Sequence, residues 1–335
     1  MRSPEPHPET ASIPLPGDAP ARSDGVVHPG ELLTLRRRVA YVLMLGALTA
    51  LGPFTIDLYL PAFPDLVAEL HTTEAFVQLT LTATAVGFGI GQLLVGPWSD
   101  AIGRRIPLIV ATSVHILASL AVAGAPTIEL IAVARVVQGF GAAAGAVVAL
   151  AVVRDLFGGK PLVRMLSRLS LVSGLAPVLA PVLGSQLLLV IDWRGIFLFL
   201  ATYSVVLLVV VALFMVETLP PERRRASGHD TVRSRFRALF RDRIFLGSAL
   251  IGGAIFSVIL SYVSSSPFLV QTLYGADAQQ FGLLFGANSA GLFVAVQVSA
   301  RLIRRFGPQW VLAFALPVIL VASIGLIALA PLDLG

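Results

Sequence analysis

The sequence predicts an all-α membrane protein, a bundle of apolar helices with most of its charge confined to the connections. Three observations carry that prediction. The chain has 335 residues, of which 56% are hydrophobic and 13% charged, whereas a soluble globular chain sits near ~45–50% apolar and ~25% charged. Nine apolar stretches follow one another, each near the ~20 residues that a bilayer core requires. The bases alternate between connections, dense in every second one and sparse in those between. In hydrocarbon such spans must be helices, because every backbone polar group needs a partner within its own segment.

The first 35 residues hold seven prolines among Ser, Glu and Asp. Such a stretch cannot bury enough surface to fold and reads as a disordered cytoplasmic tail. It is too long for a signal peptide, and no small-residue cleavage site follows it. Arg36-Arg37-Arg38 then precede a first span over about 39–60, which contains Asp57. The connection 61–75 carries Asp65, Glu69 and Glu74 and no base. Span two (76–96) contains Gly87-x3-Gly91, a surface that lets helices approach closely. The segment Gly96-Pro-Trp-Ser-Asp100-Ala-Ile-Gly103-Arg104-Arg105 follows. It reads as a tight charged hairpin acting as a hinge between two spans.

Spans three (106–125) and four (128–151) are divided only by the turn signal Gly124-Ala-Pro126. Span four carries Arg135, Gln138 and a second close-packing pair, Gly141-x3-Gly145. After Arg154, Lys160, Arg164 and Arg168 comes span five (166–190), where Pro177 and Pro181 each remove a backbone donor and predict a bend. A short connection with Arg194 leads to span six (195–216). The segment 217–243 carries eight arginines and divides the chain. Spans seven to nine follow at about 245–268, 280–300 and 309–330, with Arg301, Arg304 and Arg305 between the last two.

Of the 24 basic residues, 22 fall on one side in this arrangement, the exceptions being Arg135 and Arg194. That asymmetry places the N-terminus in the cytoplasm of a multi-pass inner-membrane protein. It also accounts for the isoelectric point near 10.2 without a nucleic-acid partner. The organisation expected is a tail (1–35), a six-helix bundle (36–216), a basic cytoplasmic linker (217–243) and a partial second bundle of three helices (244–335). Six helices, a basic loop and further helices match a carrier built from three-helix repeats. Ala300-x3-Arg304-Arg-Phe-Gly307 echoes the 96–105 segment after span eight.

Several chemistries are excluded. There is no Cys, hence no disulfide framework, thiolate metal site or cysteine nucleophile. The five His are scattered, with no metal-ligand spacing. No Gly-x4-Gly-Lys-Ser/Thr motif is present, so the chain carries no ATPase of its own. No nucleophile–base–acid arrangement suggests an enzyme.

Four segments resemble a known family. Pro53-Phe-Thr-Ile-Asp57-Leu-Tyr-Leu-Pro61, the 96–105 segment, Arg135-Val-Val-Gln138-Gly139-Phe-Gly141, and Gly174-Leu-Ala-Pro177-x3-Pro181-x2-Gly184 are similar in order and placement to motifs of the major facilitator superfamily. More narrowly they resemble its drug:proton antiporters of the bicyclomycin/chloramphenicol-resistance (Bcr/CflA) branch. Trp193-Arg194-x-Ile-Phe and Ser264-Ser-Ser-Pro267-Phe extend the match over about 40–330. The resemblance implies a bundle working by alternating access and driven by a proton gradient, without a cofactor or metal. It implies that Gly96, Asp100, Gly103, Arg104 and Arg105 form a conformational latch, with Asp100 bracing a later helix. It also implies that the helix with Gly174, Pro177, Pro181 and Gly184 lines the pathway. Ala101 stands where the family usually has Arg, and Ser185 where it often has a second Gly. The family has twelve helices and nine are read here, so a chain truncated after nine is expected.

Asp57 is the carboxylate inside a span, where an ionised Asp costs ~2.5–3.5 kcal/mol even on lenient scales and so faces water or a partner. Burial favours its neutral form and a nearby cation its anion, and a carboxylate between the two can take and release a proton. Arg135 is the matching cation, roughly 10 Å into span four at 1.5 Å per residue, in the same half of the membrane. The expectation is that Asp57 and Arg135 meet and couple proton movement, the alternative being a permanent structural salt bridge. Polar or aromatic candidates for a substrate cavity are Tyr59, Gln92, Gln138, Tyr262 and Asn288. The expected function is proton-coupled efflux of drugs or small amphiphiles by a monomer in the lipid bilayer. The alternatives are a proton-coupled carrier of one metabolite, such as an amino acid or sugar, and a non-transporting receptor or remnant of the same fold.

Overall fold

The computed structural model describes residues 29–31, 33–224, 237 and 239–329. Among them there are helices and turns and no strands. In chain order the helices are α1 (Leu35–Asp57), the short α2 (Phe63–Glu69), α3 (Glu74–Ile102), α4 (Arg105–Ala123), α5 (Ile128–Leu156), α6 (Gly159–Leu187), α7 (Trp193–Phe214), α8 (Arg243–Pro267), α9 (Ala278–Phe306) and α10 (Pro308–Leu329). Nine are long and apolar enough to cross a membrane, at the places where the hydropathy predicts spans. The tail expected over 1–35 lies outside the described residues up to residue 28. Its end departs from that expectation, because Pro29–Glu31 is a 3-10 turn whose Gly30 carbonyl accepts Arg38 Nη2 at 3.4 Å. Of the expected linker, residues 225–236 and 238 also lie outside.

Local chemistry sets the helix ends. Asp192 caps α7 through Gly195 N at 2.8 Å, and Asp277 makes a reciprocal capping box with Gln280 at the start of α9. Helices α3 and α9 end alike, on Gly103 and Gly307, both in the positive-φ region (108° and 86°), which glycine enters without steric cost. The internal echo read between 96–105 and 300–307 is therefore a repeated helix ending. It also corrects the expected hairpin. Residues 96–102 are helical, and the break between α3 and α4 is Gly103-Arg104 alone, because helical hydrogen bonding continues past the apolar window until glycine reverses the chain.

Helices α1 and α3–α7 pack as one bundle, in which α5 is central and touches α1, α3 and α4. The small residues make this possible. A Cβ on Gly91 of α3 would lie 2.7 Å from the Phe140 carbonyl oxygen of α5, and one on Gly139 of α5 would fall against the Thr84 carbonyl of α3. The two backbones are thus in direct contact. Helix α9 packs on α6 and joins the second part to the first. In α8 only Ser264, Ser266 and Pro267 are buried, and α10 has no buried residue among those described.

The bundle has two apolar clusters, one at each end. Leu58–Leu60 and Ala62 of the α1–α2 connection, Phe63 and Leu66 of α2, Ile128, Ile131, Trp193 and Phe197 contribute to one. Met44–Leu51, Val148–Leu156 and Leu207–Met215 contribute to the other. Between them lies a polar level with Thr55, Asp57, Thr84, His115, Ser119, Arg135, Gln138 and Ser204, all buried.

Candidate functional site

The polar level is assembled from five helices, and each contributes what its sequence position dictates. Asp57 is the last residue of α1 and is 6% exposed, and Arg135 lies two turns into α5 and is fully buried. Helices α1 and α5 are neighbours. The two charges act on one another, yet they form no ion pair: among the described residues the salt bridges are three, all elsewhere.

Arg135 is held by other means. Its Nη1 donates to Gln138 Oε1 at 2.6 Å, one turn along the same helix. Its guanidinium carbon lies 4.2 Å from the centre of the Tyr59 ring and 5.5 Å from that of Phe197. A desolvated cation over aromatic faces gains about 2 kcal/mol, which offsets part of the cost of a buried charge. Nε and Nη2 make no hydrogen bond among the described residues. Tyr59 is fixed in turn by its hydroxyl, 3.1 Å from Thr80 Oγ1 of α3. Gln138 Nε2 donates to Ser119 Oγ of α4 at 2.8 Å. Thr55 Oγ1 lies 2.9 Å from Nε2 of His115, and Ser204 Oγ 2.8 Å from its Nδ1.

Tyr59 and Gln138, read from the sequence as cavity residues, are thus the immediate partners of Arg135. Gln92 is exposed on α3 and makes no hydrogen bond to this group. Tyr262 and Asn288 meet one another instead: Asn288 Nδ2 donates to the Tyr262 hydroxyl at 2.9 Å, and Tyr262 stacks on Phe285. His115, Thr55, Ser119 and Ser204 were not foreseen. Nothing in local sequence marks them, since a single His, Ser or Thr in an apolar helix has no periodic signature. The only hint is that their turns fall level with Asp57 and Arg135.

The 96–105 segment forms a second charged group at the other end of the bundle. Arg104 is bonded to Asp100 (2.5 Å), to Ser99 Oγ (2.9 Å) and to Asp155 at the end of α5 (2.9 Å). Thr218 donates to the same Asp155 at 3.1 Å. Glu217 accepts the backbone N–H of Arg104 (2.9 Å), of Arg105 (3.2 Å) and of Leu219 (3.0 Å), and Arg105 Nη2 donates to the Ala212 carbonyl. Partial burial pushes the Glu217 carboxyl up, but the three backbone donors and the charge of Arg224 outweigh it and hold the carboxyl below its usual range. Burial likewise works against the Arg104 charge, and its bonds to Asp155 and Asp100 outweigh that and raise its affinity for the proton. A Cβ on Gly96 would make ordinary van der Waals contact with Val147 at 3.8 Å. These contacts join the α3–α4 break and the end of α5 to the segment that follows α7. Asp155 and Glu217 were missed because an acid beside a run of bases reads as a solvated loop residue.

Arg194, the other exception to the charge asymmetry, is also accounted for. It pairs with Glu69 at 3.0 Å, donates to the carbonyls of Ala123 and Ala125, and stacks on Trp193, whose Nε1 donates to Glu69. It therefore ties α2, the α4–α5 turn and α7 together.

The helix with the proline motif forms the seam between the two parts. A Cβ on Gly174 would fall 2.5 Å from the Phe293 ring of α9, and Gly184 lies directly on the Leu58 carbonyl beside Asp57. Pro181 is buried and Pro177 half-buried within an unbroken α6. Ser185 stands where a glycine is expected, and Gly282 of α9 faces it and leaves room for its side chain, while Gln279 Nε2 donates to its carbonyl at 3.1 Å. A cavity of about 840 Å³ lies away from this site; it adjoins Arg37, Tyr41, Met44 and Glu217, about 24 Å along α1 from Asp57 at 1.5 Å per residue.

Comparison with known proteins follows this geometry. The sequence pattern described as the Major Facilitator Superfamily matches residues 43–335. An uncharacterised MFS-type transporter, YdgK of Bacillus subtilis, is 41% identical over 276 residues, covering 82% of this chain and 68% of YdgK. A bicyclomycin resistance protein homologue of Haemophilus influenzae is 30% identical over 295 residues, covering 88% of this chain and 74% of its own. The crystal structure of a bacterial homologue of the human lysosomal transporter Spinster, inward-facing and unoccupied, superposes with a TM-score of 0.66 at 16% identity, over 83% of this chain and 64% of that one.

Proposed function

The chain belongs to the Major Facilitator Superfamily, and from that membership we propose that it is a secondary active transporter exporting drugs or small amphiphilic molecules in exchange for protons. Its members are transporters rather than enzymes, and the relative from Haemophilus influenzae named for bicyclomycin resistance supports the drug class. The proposed setting is the cytoplasmic membrane, with the N-terminus and the arginine-rich connections inside.

One observation carries the proton-coupled reading. Among the described residues, Asp57 and Arg135 are buried at the same level without an ion pair, and two Arg135 nitrogens make no hydrogen bond. A permanent structural bridge would use those donors. Here the carboxylate and the guanidinium remain able to change partners. A proton on Asp57 removes its charge, so Arg135 no longer balances a carboxylate, and the helix carrying Asp57 can shift against α5. Loss of the proton restores the attraction. That difference in free energy between two arrangements is what biases a rocking equilibrium. The chain's Arg104–Asp155–Glu217 group would hold one end of the bundle rigid while α6 and α9 move as the seam.

The test is reconstitution of the full chain into vesicles with an imposed pH gradient, following a fluorescent lipophilic cation. The wild type should move the probe against the proton gradient, and Asp57→Asn should lose the dependence on pH while retaining binding. Unchanged coupling in Asp57→Asn excludes Asp57 as the carrier. Absence of probe movement, with gradient-driven uptake of an amino acid or sugar, favours the metabolite carrier.

A further inference from the structure

His115 is completely buried in the middle of α4, and the mechanism proposed above gives it no part. Its ring touches two other helices, and the hydrogens of the group can be assigned by counting donors. A hydroxyl has one hydrogen to give. Thr55 gives its hydrogen to the Leu51 carbonyl at 2.6 Å, so the hydrogen in the Thr55–His115 contact comes from Nε2. A neutral imidazole with its hydrogen on Nε2 has a lone pair on Nδ1, and that lone pair accepts the Ser204 hydroxyl. Ser119 also approaches Nδ1, at 3.4 Å. Its hydrogen goes to the His115 carbonyl at 2.7 Å instead, and its oxygen accepts Gln138. Every hydrogen has one destination, and the ring is the neutral Nε2–H tautomer with both nitrogens used.

The neighbours argue for the same state. From α5 the charge of Arg135 acts on the ring. From α1 comes Thr55, an uncharged partner; Asp57, two residues further on, does not share its face of the helix. From α7 comes Ser204, an uncharged partner. A second proton on the ring would turn Nδ1 into a donor facing a hydroxyl that already donates to it.

Helix α1 has reason to need such an anchor. Pro53 lacks an N–H and removes one bond from the final turns of α1. The helix ends four residues later at Asp57, and the 3-10 turn Leu60–Ala62 follows. Thr55 lies between the weakened point and the carboxylate, so its contact decides how the last turn is rotated. We propose that His115 is a positioning residue for Asp57: the neutral ring ties Thr55 of α1 and Ser204 of α7 to one point on α4, and so fixes where the end of α1 holds its carboxylate relative to Arg135. The proposal rests on the reading of Asp57 as the proton carrier, but it concerns where that group is held.

Infrared spectroscopy of the detergent-solubilised full chain, without substrate, reads the protonated carboxyl band of Asp57, identified by its loss in Asp57→Asn. His115→Ala should displace the pH midpoint of that band by about one unit, the scale of one lost hydrogen-bonded anchor. His115→Gln, whose amide nitrogen reaches the Nε2 position, should restore the wild-type midpoint. His115→Asn reaches only the Nδ1 position and should behave like His115→Ala. A merely structural histidine would make the two amides alike. Nitrogen-15 NMR of the histidine-labelled wild type should show ring 115 protonated on Nε2 alone, unchanged from about pH 5 to 8. An Nδ1–H tautomer, a ring that titrates in that range, or an unmoved midpoint in His115→Ala overturns the proposal. If the spectroscopy comes out as expected while vesicles show no proton-coupled flux, it is the transport reading that fails.

Discussion

Glu217 acts as the cap of a helix more than a hundred residues away, and replacing it tests how the 96–105 segment is held. Helix α4 begins at Arg105, and the side chain of its N-cap residue, Arg104, makes no capping hydrogen bond. The first backbone donors of α4 would be unsatisfied, and Glu217 receives them: Arg104 N at 2.9 Å and Arg105 N at 3.2 Å, with Leu219 N at 3.0 Å. A lost N-cap costs typically about 1 kcal/mol, and a hydrogen bond to a charged acceptor is worth about 1.5–3 kcal/mol. Glu217 is only half-buried, so solvent screening lowers the sum. Glu217→Gln keeps one acceptor and points its NH2 at a backbone N–H, which gives an expected loss of about 2 kcal/mol. At roughly 2–4 °C per kcal/mol for a domain of this size, the melting point in detergent should fall by about 4–8 °C.

The pH dependence has a definite sign. The folded carboxyl lies below the unfolded one, so its contribution is full above the ordinary glutamate value of about 4.3. It is lost as pH falls through the folded value. The difference between wild type and Glu217→Gln should therefore be constant from about pH 8 to 5.5 and shrink below about pH 4.3. Thermal unfolding followed by size-exclusion chromatography across that range is the assay. A difference under about 1 °C at neutral pH, or one that grows on acidification, would refute the capping argument.

Two further outcomes follow from the packing and the charge pattern. Gly139→Val should prevent stable assembly of α3 with α5, since even a Cβ there meets the Thr84 backbone, and the variant should elute as aggregate where wild type elutes as a single species. Because the chain has no Cys, one introduced thiol reports one position. Glu129→Cys should react with an impermeant maleimide from outside intact cells and Lys160→Cys only after lysis, and the reverse pattern would invert the proposed orientation.

The elements that sequence reading located are those with a periodic or compositional signature. Nine spans were legible because lipid demands long apolar runs, and the grouping of the first six was read from the basic segment 217–243 that divides the chain. The ends were less legible. Gly96–Ile102 is helix although its polar residues suggest a loop, since Gly103 alone decides where hydrogen bonding stops. The Asp57–Arg135 pair was located to the correct level, but a direct bridge was the expectation held beside proton coupling. In the structure Tyr59, Phe197 and Gln138 hold Arg135 instead.

By itself the sequence determined the class of protein, the number and order of spans read, and Asp57 and Arg135 as ionisable groups inside spans. These depend on hydropathy and on the cost of charge in lipid, which act on each segment separately. Only the tertiary structure decided which groups complete each charged site. His115 bonds to Thr55 and Ser204 across 60 and 89 residues, and Glu217 reaches Arg104 across 113. Hydrogen bonds are short and directional, so a partner that distant in sequence becomes visible only when helix packing brings its one donor or acceptor within about 3 Å.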